Sequence, residues 1–218
     1  MRDEAFLARL DVGDRNALEG IGHRRRLRSG APLFHEGDEG RDVHIVLTGL
    51  VKVFTTSAGG REVILDVLDA GSVLGELSAI DGDVRSASAA ALTEVDVLLV
   101  GVEPFIAFLD HHPGAATQLL GVIAARLRNA SQRQLEFGTS DSLTRLCGCI
   151  LTMVERYGSN GGEVALPLGQ SEVAAMTGLS REAVVKGLRA LRDLGWIEAE
   201  GRHVVILDED ALRARATV

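Results

Sequence analysis

The sequence predicts an α+β protein: a small jelly-roll-like β-roll, then one long helix, then a compact helical unit that ends in a β-hairpin. Three observations carry this. Between about Arg28 and Val102, short β-rich runs such as VHIVLTGLV, EVILDVL and VDVLLVG are punctuated by glycines at 37, 40, 49, 59, 60, 71, 75 and 82, which is the texture of many short strands joined by tight turns. From about Pro113 to Phe137, Ala116, Leu120, Ile123, Leu127, Ala130, Gln134 and Phe137 alternate by four and three, the spacing of a heptad seam on one helix. Beyond residue 165, QSEVAAMTGLSREAVVKGLRALRDLGWIEAEGRHVVIL reads as two short helices about a glycine turn, followed by two strands.

The elements follow in order. Residues 2–25 read as short helical material, with Phe6, Leu7 and Leu10 at helical spacing and Leu18 and Ile21 behind them, and serve as a cap on the roll. In the roll, Val43, Ile45 and Leu47 alternate as one face of a strand. After Val102 the period becomes helical, and Pro104 suits the first turn of VEPFIAFLDHH. The long helix comes next; its polar faces carry Arg126, Arg128 and Arg133, so its apolar stripe is read as a dimer seam. Gly138 to Asp141 form a hinge, with Asp141 as the N-cap of SLTRLCGCILTMVERYG. Three domains result: 1–112, the roll with its flanking helices; 113–137, the dimerisation helix; and 138–218, the helix-turn-helix with its hairpin wing.

Composition narrows the function classes. The chain has 218 residues, 46% of them hydrophobic, enough for well-packed cores. Its apolar runs are too short to cross a bilayer, and the charged, amphipathic start MRDEAFLARLD lacks an export signal's apolar segment, which predicts a cytoplasmic protein with no membrane partner. The net charge is −8; residues 138–218 hold 9 Lys+Arg against 11 Asp+Glu, so no domain would bind nucleic acid by bulk charge alone. The two cysteines, Cys147 and Cys149, fall on different faces of one helix and read as small apolar residues, not a disulfide or half a metal site.

Two motifs carry chemistry. The first, GELSAIDGDVRSA at 75–87, places the acid Glu76 and the base Arg85 around a glycine-containing loop. A surface ion pair, a catalytic pair and a ligand cradle all use such residues. No nucleophile–base pair or metal-ligand cluster stands beside them, so no enzyme is expected. In the second, Gly178 permits the sharp turn between two helices, and Ser180 opens the second helix. Val173, Ala174, Leu179, Val184, Leu188 and Leu191 form its small core. Arg181, Glu182, Lys186 and Arg189 then lie on the outer face, as in a recognition helix entering the major groove. Arg202, in the wing, is placed to touch phosphate, and Trp196 to pack beneath the hairpin.

Roll, seam helix, hinge and winged helix-turn-helix, in this order from about residue 28 to 207, resemble the cyclic-AMP receptor protein / fumarate–nitrate reduction regulator (Crp/Fnr) family. GELSAIDGDVRSA resembles its phosphate-binding cassette and GLSREAVVKGLRAL its recognition helix. The resemblance implies a homodimeric transcription regulator gated by a cyclic nucleotide, cAMP before cGMP; the alternative is the same fold with a different effector or with ligand-independent DNA binding. It places effector contacts on Gly75, Glu76, Leu77, Ser78, Arg85, Ser86 and Ala87: phosphate on Arg85, Ser86 and nearby backbone amides, and the ribose 2′-hydroxyl on Glu76. Leu65 and Val53 would line the base, and Arg126 would stand near it. Ala130 and Ser131 hold the positions that meet the adenine, Ala130 replacing the family's threonine. On double-stranded DNA the contacts would be Gln170, Ser180, Arg181, Glu182, Lys186, Arg189 and Arg202, at an inverted-repeat operator, with RNA polymerase as a further partner. The iron–sulfur branch would need N-terminal cysteines, which are absent, and the haem branch axial ligands; His35 and His44 are expected at the surface, and His111 and His112 at a helix end where the dipole favours them.

Overall fold

The structure, a computed structural model, describes residues 5–157, 163–165, 169–200 and 203–217. In chain order the elements are α1 (Phe6–Arg9), α2 (Val12–Gly20), β1 (His23–Leu27), β2 (Pro32–Phe34), β3 (Asp42–Thr48), β4 (Val51–Thr56), β5 (Glu62–Leu68), β6 (Val73–Leu74), α3 (Glu76–Asp81), β7 (Ser88–Ala91), β8 (Val95–Gly101), α4 (Val102–His111) and α5 (Pro113–Thr139). They continue as α6 (Ser142–Tyr157), β9 (Glu163–Ala165), α7 (Gln170–Thr177), α8 (Arg181–Asp193), β10 (Ile197–Glu200), β11 (His203–Ile206) and α9 (Glu209–Ala216). Contacts divide the chain into two compact units. One runs up to Thr56 and then over Ile64–Ala130; the other holds Ser57–Val63 and everything from Ser131 onward.

The first unit is a roll of two four-stranded sheets, β1-β8-β3-β6 and β2-β7-β4-β5. Strand alternation sorts its side chains into two cores. Leu27, Val46, Leu74, Val95 and Val97 from one sheet meet Val51, Leu68, Ala89 and Ala91 from the other, filling the space between the sheets. The opposite face of the first sheet, with Val43, Ile45, Val73, Leu98 and Val100, is covered by Phe6, Leu10, Leu18, Phe105, Phe108, Ala115, Leu119 and Val122. The N-terminal helices thus cap the roll, as their apolar spacing indicates. Two local readings change. His23 to Arg25 do not continue the helical cap but open β1, paired antiparallel with β8; as an outer strand it carries three exposed arginines, and Arg26 binds Asp96 at 2.8 and 3.0 Å. GELSAID is not all loop, because Glu76–Asp81 form a short helix closed by left-handed Gly82.

The long helix runs two residues past Phe137, through Gly138 to Thr139, so the break falls at Ser140–Asp141. Asp141 caps α6 as read, accepting from the Leu143 and Thr144 amides at 3.0 and 2.9 Å. Along the stripe, Leu120 and Leu127 are 65% and 68% exposed and Ala130 and Gln134 are exposed too, whereas Ile123 packs against the roll's helical core and leaves the seam. The side chain of Phe137 lies outside the described residues. Among the described residues, no helix is long and apolar enough to cross a membrane.

In the second unit the wing is a three-stranded sheet, β10-β11-β9; β9 begins inside GSNGGEV, whose glycines read as a loop in the sequence. The helix α9, also unforeseen, is capped by Asp208, which accepts from the Ala211 amide at 2.9 Å. Arg215 on α9 binds Thr144 and Asp141 at the start of α6.

Candidate functional site

Strand β6 delivers the chain to Gly75, whose φ of +77° and crowded surroundings both require glycine: a Cβ there would stand 2.2 Å from an Arg85 terminal nitrogen and 3.1 Å from the Asp42 carbonyl oxygen. The backbone of Arg85 is pinned by an amide bond to Asp38 O at 2.8 Å and by a bond from the Gly37 amide at 2.9 Å. Its side chain is 3% exposed. There Nη1 donates to Gly75 O (3.0 Å) and Ser78 Oγ (2.8 Å), and Nη2 donates to Asp42 O (2.6 Å) and Asp42 Oδ1 (2.8 Å). The guanidinium lies over the Phe34 ring at 4.3 Å, a cation–π contact made stronger by desolvation. Burial lowers the Arg85 pKa, opposed by the negative charges of Asp42, Glu76 and Asp38.

Glu76 and Arg85, nine residues apart in the motif, are not each other's hydrogen-bonding partners. Glu76, 4% exposed, accepts from Arg126 Nη1 at 2.7 Å, and Arg126 Nη2 donates to Val73 O at 2.7 Å. The site holds two ion pairs, Arg85–Asp42 and Arg126–Glu76. Ser78 is buried; its hydroxyl receives the Arg85 bond and donates to Gly75 O at 3.3 Å. Ala87 is buried, while Ser86 and Leu77 are exposed. Val53 is half-buried and leans on the core between the sheets, so part of its apolar surface is already used; Leu65 is exposed. Ala130 and Ser131 are consecutive exposed residues of α5.

One expectation is overturned. His44 is not a surface residue but 2% exposed. It lies on the β3 face opposite Val43 and Ile45, and its ring packs 5.5 Å from Phe34. Burial pushes its pKa down to about 4; Asp42 opposes this shift, and Arg85 and Arg25 add to it. Its Nδ1, buried and without a hydrogen-bond partner, is 3.4 Å from Asp42 Oδ1. The reading by sequence missed both His44 and Asp42. The available signal was their spacing: residues i and i+2 of one strand share a face. His35 is exposed, as expected. At the end of α4, His111 Nδ1 lies 2.7 Å from Ala107 O, and His112 lies 2.6 Å from Asp14 and stacks on Phe108.

The second motif forms as read. Gly178 takes φ +66° after α7, a left-handed turn that costs an L side chain about 1–2 kcal/mol. Leu179, buried, donates its amide to Ala174 O at 3.1 Å. Ser180 caps α8 by accepting from the Ala183 amide at 3.1 Å. Glu172 caps α7 by accepting from the Gly169 amide at 2.8 Å. Val173, Ala174, Leu179, Val184 and Leu191 are buried and Leu188 half-buried, while Arg181, Glu182, Lys186 and Arg189 are exposed. Gln170 and Ser180 are half-buried and Trp196 is half-buried beside the wing; Arg202 lies outside the described residues. The Glu182 carboxyl is held below its ordinary range, chiefly by its own backbone amide and then by the Ser180 hydroxyl. In α6, Cys147 is buried and Cys149 half-buried, and burial raises their thiols to about 11 and about 12.

A β-roll that buries an arginine and an acid in one short cassette, joined to a winged helix-turn-helix, is the architecture of a DNA-binding transcription regulator. Residues 24–112 match the cyclic nucleotide-binding domain and residues 144–215 the Crp-like helix-turn-helix domain. The chain is 33% identical over 190 residues to the CRP-like cAMP-activated global transcriptional regulator of Mycobacterium tuberculosis, covering 86% of this chain and 85% of that one. It has the fold of FixK2 from Bradyrhizobium japonicum (TM-score 0.80, 24% identity, 89% and 96% of the two chains) and of the c-di-GMP responsive global regulator CLP of Xanthomonas campestris (TM-score 0.79, 22% identity, 90% and 99%). The chain belongs to the Crp/Fnr family of transcription regulators.

Proposed function

We propose that this regulator is a homodimer whose binding to inverted-repeat operators is switched by a cyclic nucleotide, with cAMP as the first candidate and cGMP behind it. The observation that carries the reading is Arg85: a guanidinium buried to 3% exposure at the end of a short loop, at a desolvation cost that the fold must offset, with a buried acid nine residues before it. One supplies charge-assisted donors for a phosphate and the other an acceptor for a ribose hydroxyl. The relative activated by cAMP supports the choice of nucleotide. In this reading Ser131 supplies a hydroxyl to the purine edge. The exposed Leu120 and Leu127 become the dimer seam, and Arg181 and Glu182 read guanine and cytosine. Lys186 adds a point-charge donor without the bidentate fork of arginine. RNA polymerase is the natural further partner, and the cytoplasm the location.

A second reading, with a cyclic dinucleotide as effector, is favoured by the fold neighbour described as c-di-GMP responsive and by Ala130, which offers the base no hydroxyl. Calorimetric titration of the full chain with cAMP, cGMP and c-di-GMP separates the two. Saturable cAMP binding that Arg85→Ala abolishes is the expected result. Saturation by c-di-GMP alone moves the conclusion to the second reading, and cAMP binding unchanged in Arg85→Ala removes the cassette from the account.

A further inference from the structure

An arginine that is to grip a phosphate needs donors to offer, and in this structure Arg85 has almost none left. A guanidinium carries five N–H groups, one on Nε and two on each terminal nitrogen. Two on Nη1 go to Gly75 O and Ser78 Oγ, and two on Nη2 go to the carbonyl and the carboxylate of Asp42. What remains is Nε–H, buried and without a partner. Bidentate phosphate recognition takes two parallel N–H groups, so a phosphate using Nε–H still lacks its second donor while Asp42 is in place. Charge points the same way. Arg85–Asp42 and Arg126–Glu76 are each balanced pairs, and a phosphate monoanion added beside them brings a negative charge that neither pair compensates. Among the hydrogen-bonding partners of Arg85, Asp42 supplies the only carboxylate, and it keeps 32% side-chain exposure where Arg85 has 3%.

We propose that Asp42 is a resident anion of the effector site: its carboxylate occupies Arg85 in the unliganded protein, competes with the phosphate of the effector, and sets effector affinity low. The inference rests on the reading of Arg85 as the phosphate contact. His44 gives the displaced carboxylate somewhere to go: its buried Nδ1 has no hydrogen-bond partner and lies 3.4 Å from the same Asp42 oxygen, and in the Nδ1–H tautomer it can donate to that oxygen. With a phosphate on Arg85, removing the negative charge of Asp42 relieves a like-charge contact of the kind that governs recognition at charged sites.

The test uses the full chain, cAMP as probe, and Asp42→Asn and Asp42→Ser beside the wild type and Arg85→Ala. Asn is close to isosteric and keeps a carbonyl acceptor; Ser guards against the chance that one variant alone is misfolded. Two quantities are read: the Kd for cAMP and the melting temperature without ligand. The expected result is a Kd about tenfold lower in both Asp42 variants, a difference of about 1.4 kcal/mol, together with a lower melting temperature without ligand, because Arg85 has lost its counter-ion. Binding by the Asp42 variants where the wild type shows none supports the proposal equally. A merely positioning role for Asp42 predicts the opposite for affinity. If both Asp42 variants bind cAMP no more tightly than the wild type while Arg85→Ala binds none, the proposal falls and the effector site stands. If neither the wild type nor any variant binds cAMP, the proposal falls together with the reading of cAMP as the effector.

Discussion

The effector cassette and the recognition helix each carry a few decisive charges, and they handle them in opposite ways. Arg85 and Glu76 are 3% and 4% exposed, and each is held by a counter-charge that comes from far along the chain: Asp42 on β3 and Arg126 on α5. Arg181, Glu182, Lys186 and Arg189 stand in solvent on one face of α8, and the buried Val184 and Leu191 on the other face hold that helix in place. A buried charge has to be compensated inside the fold, so its chemistry is a property of a network. An exposed charge keeps its hydration and stays available for a partner. The difference implies that mutations in the cassette alter stability and binding together, whereas mutations on the outer face of α8 alter binding alone.

The largest contrast is expected with pH, at His44. Its ring has a pKa of about 4 in the fold against 6.5 in an unfolded chain. A group whose folded pKa is depressed in this way binds its proton more readily when unfolded, so its contribution to stability is complete above about pH 6.5. It is then lost progressively as the pH falls toward 4, and below that this group adds no further slope. Between pH 7 and pH 5 the loss is on the order of 2 kcal/mol, from about 1.4 kcal/mol per pH unit over the titrating range. Urea denaturation of the wild type and of His44→Gln at both pH values checks this: the variant is expected to lose about 2 kcal/mol less between them. Equal losses would mean that His44 titrates in the fold as it does in the unfolded chain, so that burial does not depress its pKa. The groups facing it are Asp42, Arg85 and Arg25, and they are the same in both proteins.

A smaller effect on stability, and a sharper one for the comparison, is expected at Arg181. Arg181→Ala removes an exposed side chain at the first turn of α8, so stability should stay within about 0.5 kcal/mol of the wild type. Affinity for an operator should nevertheless drop by about 1–3 kcal/mol, with relaxed choice at one base position. A stability change larger than the affinity change would show that Arg181 belongs to the fold and not to the DNA-reading face.

These differences also explain which features are legible in the sequence. The roll was legible because Val43, Ile45 and Leu47 alternate and glycines mark the turns. The helix-turn-helix was legible because its core, its cap and its outer face all follow from helical period and one glycine. Local rules suffice for exposed elements. The cassette was legible only as a pair of residue types. That Arg85 is satisfied by Asp42, 43 positions away, and that His44 faces the space between two sheets, depend on which strands pair and on which side of the sheet is covered twice. The strand β1 was misread because the run HRRRL carries no apolar alternation: as an outer strand it buries only Leu27, and its register comes from pairing with β8. Ile123 left the predicted seam for the roll for a related reason, since a stripe at heptad spacing does not state which of two apolar surfaces each residue meets.

The central claim is that occupancy of Arg85 by an effector changes DNA binding, and operator affinity measured with and without cAMP tests it most directly. An inverted-repeat operator selected from a randomised pool would be titrated with the wild type and with Arg85→Ala, each in the absence and in saturating presence of cAMP. The account predicts that cAMP tightens wild-type binding by about 5- to 150-fold, the range of a coupling of about 1–3 kcal/mol, and leaves Arg85→Ala unchanged. Equal operator affinity of the wild type with and without cAMP would contradict it.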